Sequence, residues 1–348
     1  MLFKPTVVQL RGVDNKLYTL AGEGNDPAAV LLQPGAKGLD APAFTIHADE
    51  YPSIDGGFLR FARAGIREVF LPLKIIAPNR PELMKLKREF IASLNPTKGM
   101  VQLLFTEYWQ PSPKEDLFEA EPTKQLTCFY VSGMEGGEGS DSDGVHWSTY
   151  GLVLRAPDPY FHALFRTHAS FIRYDVLRPF IPQAGANPFL SADGTQPGEG
   201  MALSSEPEWI TTQVLSSIGD AAVQPRWTIR GPLNSTFSLR LHGDDGEAVK
   251  TLRMKQSVSL TADQVLTIET ARGELDVFRQ AADGTGPRTP MWNHFDIASD
   301  MWALQPGDNQ VSLQIDQPAG LTPEEQEAWL ANNQPVVALS YLPAYLGI

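Results

Sequence analysis

Cysteine occurs once in this chain, at Cys128. A single cysteine excludes an intrachain disulfide framework and a multi-cysteine zinc site. Set in LTCFYV, it reads as a buried thiol on a strand. No run of 18 apolar residues exists, so no membrane-spanning helix is expected. The start, MLFKPTVVQL, has no apolar h-region, so no signal peptide is expected either, and synthesis in a cytoplasm is expected. Positive charge is also scarce: 28 Lys and Arg face 41 Asp and Glu, leaving −13. Residues 1–165 hold 16 basic against 20 acidic side chains (−4), and residues 166–348 hold 12 against 21 (−9). Wrapping nucleic acid needs a cationic surface, which argues against that role. The balance suits a surface past which DNA slides without sticking.

The motifs of catalysis are missing too. The histidines, at 47, 146, 162, 168, 242 and 294, form no H-E-x-x-H and no i, i+4 pair on a helix. His162 and His168 are too isolated to suggest a metal centre. There is no G-x-S-x-G elbow, no P-loop and no G-x-G-x-x-G after a strand. The acidic stretch EGGEGSDSDG at 135–144 lacks calcium-loop spacing and reads as a hairpin tip. Asp244, Asp245, Asp296 and Asp300 keep a two-carboxylate hydrolase as a remote reading, although Asp244 and Asp245 sit in a DDG turn, where acids serve backbone geometry. No catalytic, cofactor-binding or metal-ligating residue is assigned, and no enzyme is expected.

What is present favours short strands and tight turns, since Gly (29) and Pro (28) make about a sixth of the 348 residues. That length predicts two domains. In the first half, LFKPTVVQLRG, KLYTLAG and FTIHADE read as strands, and FLRFARAGIREVFLPLKIIA reads as two more. In the last of these Ile66, Val69, Leu71, Leu73 and Ile75 are expected on the buried face. RPELMKLKREFIASLNP, 80–96, is a helix: Pro81 suits its first turn and Pro96 closes it. Its stripe of Leu83, Leu86, Phe90, Ile91 and Leu94 is expected to pack on a sheet. Arg80, Lys85, Lys87 and Arg88 lie mostly off that stripe, a solvated face or one for an acidic partner. MVQLLFTEYW, QLTCFYVSGM and HWSTYGLVLRA complete a mainly β domain over 1–165.

Residues 166–208 read as a Pro/Gly-rich connection. From Trp209 strands recur at short intervals: WITTQVLSSI, QPRWTIRG, FSLRLHGDDG, VKTLRMK, SVSLTA, VLTIET, ELDVFR, FDIAS, NQVSLQID and VVALSYL. This pattern predicts a two-sheet β-sandwich over 209–348. One helix interrupts it in GLTPEEQEAWLANNQP, with Thr322 as N-cap, Pro323 in the first turn and Glu325 completing a capping box. Trp209, Trp227, Trp292 and Trp302 could stack sugar rings or fill a core.

The stretch LVLRAPDPYF, 152–161, ends a strand stiffly. Pro157 and Pro159 fix their own φ and push their predecessors into extended backbone. A rigid exit toward a second body is expected, with Arg155, Pro157, Asp158, Pro159, Tyr160 and Phe161 as its junction residues. Tyr160 and Phe161 pack at a domain interface or within one domain.

A strand ending in A-P-D-P-Y-F, after a strand–helix–strand unit whose helix opens near P-E-L and closes at L-N-P, resembles the distal tail protein family of long-tailed bacteriophages (siphoviruses). QPRWTIRGPLNSTFSLR, WALQPGDNQVSLQI and VVALSYLPAYLGI are similar to that family's second half, in the same order. The 178–208 stretch, the 321–334 helix and the acidic tip have no counterpart in the pattern.

The resemblance implies a mainly β fold: a ring-forming N-terminal belt with one helix, and a C-terminal sandwich akin to galectins or carbohydrate-binding modules. It implies a homo-hexamer at the distal end of a virion tail, joining the tail tube protein to tail-associated lysin, tip or fibre proteins. The channel would pass the tape measure protein and then the genome. Six copies of −13 sum to −78, which suits a lumen that repels DNA. The alternative is a carbohydrate-binding module for host cell-wall attachment, with a glycan as partner.

Overall fold

A computed structural model describes residues 6–22, 26–50, 55–107, 123–136, 146–171, 173–176, 206–209, 212–243, 245–271, 273–316, 318 and 321–348. Most of the Pro/Gly-rich connection, most of the acidic tip and Asp244 lie outside these residues. The chain divides into two compact units. The first comprises 1–166, 218–221 and 342–348, and the second 167–217 and 222–341. The second unit is thus an insertion within the first. The last seven residues, which sequence assigns to the sandwich, belong to the unit in which the chain begins.

The first unit is built from β1 (Val7–Arg11), β2 (Leu17–Ala21), β3 (Ala29–Leu32), β4 (Phe44–Glu50), β5 (Gly57–Ala64), β6 (Arg67–Ile76), helix α1 (Arg80–Ser93), β7 (Val101–Thr106), β8 (Thr123–Ser132), β9 (Trp147–Ala156) and β10 (Phe161–Ala163). Its sheet runs β2-β1-β7-β8-β9-β6-β3, antiparallel throughout. The end strands β2 and β3 lie against each other, so the sheet is rolled. Strict alternation in β6 buries Arg67, Val69, Leu71, Leu73 and Ile75. Ile66, expected on that face, is exposed, because the strand begins one residue later and Arg67 takes the first inward position.

Helix α1 starts as its sequence predicts. The Asn79 side chain accepts from the Glu82 N–H at 3.0 Å, with a proline in the first turn. Leu83 and Phe90 are fully buried and Tyr18 meets the Phe90 ring edge-on at 5.0 Å. Leu86 is only half-buried and Ile91 is exposed, so the buried stripe is narrower than expected. Lys87 lies over the Tyr150 ring at 5.0 Å.

The second unit begins with β11 (Thr167–Phe171), a strand where sequence reads a connection, followed by β12 (Arg173–Val176), β13 (Glu206–Trp209), β14 (Thr212–Ser217), β15 (Arg226–Arg230), β16 (Leu233–Ser235), β17 (Phe237–His242) and β18 (Ala248–Arg253). Then come β19 (Val258–Leu260), β20 (Gln264–Glu269), β21 (Asp276–Ala281), β22 (Thr289–Pro290), β23 (Gly307–Ile315), helix α2 (Pro323–Asn332) and β24 (Val336–Tyr341), before β25 (Ala344–Tyr345) rejoins the first unit. One sheet runs β11-β24-β15-β20-β21-β22 and another β14-β23-β17-β18. The fold is mainly β, as the sequence predicts.

The core of this unit includes Trp227 and Trp302, edge-to-face at 5.7 Å, with Phe171 beside Trp227. These two tryptophans fill the interior and cannot stack a sugar; Trp292 remains partly exposed. FDIAS, expected as a strand, is not one. A 3-10 turn at Trp292–His294 precedes a loop whose Asp296 and Asp300 N–H groups bond the Arg253 and Thr251 carbonyls. Helix α2 carries the expected capping box between Thr322 and Glu325.

Candidate assembly site

The buried polar centre of the first unit is Arg67, whose side chain the β6 alternation turns inward. Its Nε donates to the Pro159 carbonyl at 2.6 Å, and its Nη1 to the carbonyls of Gly38 (2.9 Å) and Asp40 (2.7 Å). Its Nη2 donates to the Leu346 carbonyl. The guanidinium lies over the Phe161 ring, 4.8 Å from its centroid. Burial lowers its pKa from the ordinary value, but an arginine stays charged in proteins. The cation is held by carbonyl dipoles and an aromatic face, with Asp40 as a weaker favourable charge.

Three remote segments therefore meet at one side chain: 38–40, the diproline stretch, and the chain's end. Gly38 is required there. Its φ is +81°, and a Cβ would stand 2.0 Å from the Glu68 carbonyl oxygen.

The structure places the six junction residues as follows. Arg155 is exposed on β9 and pairs with Glu68 across to β6 at 3.0 Å. Pro157 is exposed. Asp158 accepts from the Tyr160 N–H at 3.2 Å and bonds His162 Nε2 at 2.8 Å. Pro159 supplies the carbonyl to Arg67. Tyr160 is half-buried. Phe161 is fully buried in the first unit's core, edge-on to Phe105 at 5.5 Å.

The diproline stretch thus joins two strands of one unit. β9 pairs with the far half of β8, and β10 with its near half through His162↔Gln125 and Ala163↔Lys124. Prolines lack the N–H needed to continue the ladder, so the strand breaks and restarts there. β25 then pairs along the other edge of β10 through Phe161↔Tyr345. The chain leaves this unit only after Arg166.

A second feature is the β4–β5 hairpin, whose two strands the sequence predicts but whose exposure it does not. Among the described residues it pairs only with itself. Phe44, Ile46, Phe58, Leu59 and Phe61 on it are all about half exposed or more. A bulge after His47 sets Phe61 opposite His47, Leu59 opposite Ala48 and Phe58 opposite Asp49, so apolar side chains stand on both faces. Apolar residues on both parities of β5 were the available signal, although β4 carries Thr45, His47 and Asp49 on one parity. A second apolar surface lies on the outer side of β6 and β9. There Phe70 sits against Gly151, where a Cβ would come within 2.9 Å of the ring, and Trp147 stacks beneath Lys74 at 5.1 Å. Among the described residues, no group of three or more His, Cys, Asp or Glu could hold a metal ion.

A β unit inserted within a rolled β sheet that carries one helix defines the class: a two-unit, mainly β fold. No family model matches the sequence, and no curated protein does. Among solved structures, the fold is similar to the Dit (gp 19.1) protein of phage SPP1, described as a paradigm of hub adsorption apparatus in phages infecting Gram-positive hosts. The TM-score is 0.55 at 13% identity, over 97% of this chain and 98% of that one. Chains of the phage P2 baseplate in its activated conformation, with Ca or Sr, match at TM-scores of 0.45 and 0.46, with 11% and 12% identity over 97% of this chain and 98% of each of those.

Proposed function

We propose that the chain is a structural hub protein of a bacteriophage tail tip. In this reading it forms a homo-hexameric ring at the distal end of the tail tube. The ring binds the tube protein on one side and tail-associated lysin, tip or fibre proteins on the other, and lets the tape measure protein and the genome pass. The observation that carries it is the fold likeness to a phage hub protein along both units.

The arm supports the ring. Exposed apolar surface on this scale is unusual for a monomer and marks an interface. Each chain carries one projecting apolar element, β4–β5, and one flat apolar face around Phe70 and Trp147. A cyclic ring needs two unlike surfaces of this kind, since its contacts are heterologous and close on themselves. The net charge of −13 per chain is compatible with DNA passing unbound.

The test is the mass of the purified protein by light scattering, with negative-stain images of the same fraction. A six-fold ring with a central hole is the expected result. A protein that stays monomeric alone and also when mixed with tail tubes overturns the reading.

A further inference from the structure

The two faces of the β4–β5 hairpin are unlike, which residue parity along β5 conceals. Cross-strand partners share a face, so Phe44↔Ala64, Ile46↔Ala62, Ala48↔Leu59 and Glu50↔Gly57 stand on one side. That side is apolar along three pairs and ends in one exposed carboxylate, Glu50. The other side sets Thr45 opposite Arg63, His47 opposite Phe61 and Asp49 opposite Phe58. There Arg60, the extra residue of the bulge, pairs with Asp49, and His47 stacks on Phe61 at 4.4 Å. A two-stranded hairpin alone is marginal in water, and the apolar side of this one is left exposed.

The outer side of β6 and β9 has the complementary pattern. Lys37, Phe70 and Val153 form one cross-strand row, Pro72 and Gly151 the next, and Lys74 and Thr149 the third. The middle row has no side chain at Gly151, and the Phe70 ring fills the space a Cβ would take. The strip is thus flat and apolar, with a lysine beside each end. Phe70 and Lys74 are four residues apart on β6, as Ile46 and Glu50 are on β4. Both spans are about 13 Å in extended chain.

We propose that the apolar side of the arm lies on this strip of a second copy of the chain. Ile46 sits over Phe70, Ala48 and Leu59 over Pro72 and Gly151, and Glu50 pairs with Lys74. The inference rests on the ring reading and names the contact that joins neighbours. Apolar side meets apolar strip, the one carboxylate meets a cation, and the polar side with Thr45, Asp49 and Arg63 stays in water. Two arms placed face to face would close at a dimer and leave the lysines of both copies unanswered. A membrane surface suits the arm less well, because Asp49, Glu50 and Asp55 cluster toward its turn and anionic lipid repels them.

The experiment pairs cross-linking with charge exchange in the full chain. Chains carrying Ala48→Cys are mixed with chains carrying Thr149→Cys and treated with a short bismaleimide; Cys128 is buried and does not interfere. Cross-linked dimers are expected in the mixture and in neither variant alone. Glu50→Lys and Lys74→Glu should each raise the concentration needed for half assembly roughly tenfold. Both changes in one chain should restore it, since each contact takes Glu50 from one copy and Lys74 from the next. Cross-links in Ala48→Cys alone overturn the contact and leave the ring reading standing. So does a mixture that forms rings in negative stain without cross-links, or a double charge variant that assembles no better than either single one. Monomers throughout, with and without tail tubes, overturn both.

Discussion

Arg67 and Pro159, 92 positions apart in sequence, are joined by a 2.6 Å hydrogen bond from the guanidinium Nε to the proline carbonyl. The bond explains why the diproline stretch is rigid in this fold. Proline removes its own N–H from the sheet but keeps its carbonyl, and a buried carbonyl needs a donor. A cation reaching across from β6 supplies it, and with its remaining N–H groups ties in 38–40 and Leu346.

Arg67→Met should therefore destabilise the first unit by about 3 kcal/mol or more, because it leaves four carbonyls without their donor. Arg67→Lys should recover only part of that, since an ammonium cannot match the fork. Urea denaturation followed by tryptophan fluorescence and circular dichroism checks both. A midpoint equal to wild type in Arg67→Met would mean that the network contributes nothing.

Deleting residues 344–348 should loosen β10, although the deletion lies 181 positions beyond Ala163 (344 − 163). The strand would lose its partner β25 and the Arg67 side chain an acceptor. Hydrogen exchange should show faster labelling of 161–163 and 38–40, with β17 and β20 unchanged. Uniform labelling across both units would contradict the assignment of the terminus to the first unit.

The Cys128 thiol is pushed up to about 12 by burial, from an ordinary 9.0. The folded state therefore holds its proton more tightly than the unfolded state. Stability from this group is complete below pH 9 and declines as pH rises toward 12. Cys128→Ala should flatten that decline in unfolding experiments across the window. A thiol reagent at pH 8 should leave the native protein unmodified and react once denaturant is added.

The hairpin offers a separation of folding from assembly. Phe58→Asp with Leu59→Asp places charges where wild type exposes apolar side chains. Neither position is buried, so melting temperature should stay within a degree or two of wild type, while the mass of the proposed ring in light scattering should fall to that of a monomer. A variant that still forms rings would remove the arm from the interface.

Much of this architecture is written locally. The alternation in 67–76, Pro81 in the first turn of α1 and the Thr322 capping box are short-range patterns, and each reappears in the fold, where Asn79 adds a cap to α1. Cys128, in a β-rich apolar run, is buried as that context implies. FDIAS misled because Asp296 within it and Asp300 just after it favour a turn that borrows hydrogen bonds from the edge of β18.

The sequence by itself determined the mainly β class, the positions of both helices, the break at the two prolines and the acidic balance, because these depend on residue type and spacing within a few turns of chain. Only the tertiary structure decided that the break lies inside one unit, that the last residues return to it, and that Arg67 holds both. Those outcomes rest on pairings between segments tens to hundreds of residues apart, and period and propensity carry no information about which distant carbonyl a buried guanidinium will meet. The exposed apolar arm belongs with them: its side chains read as ordinary strand residues, and only the fold leaves them half exposed or more.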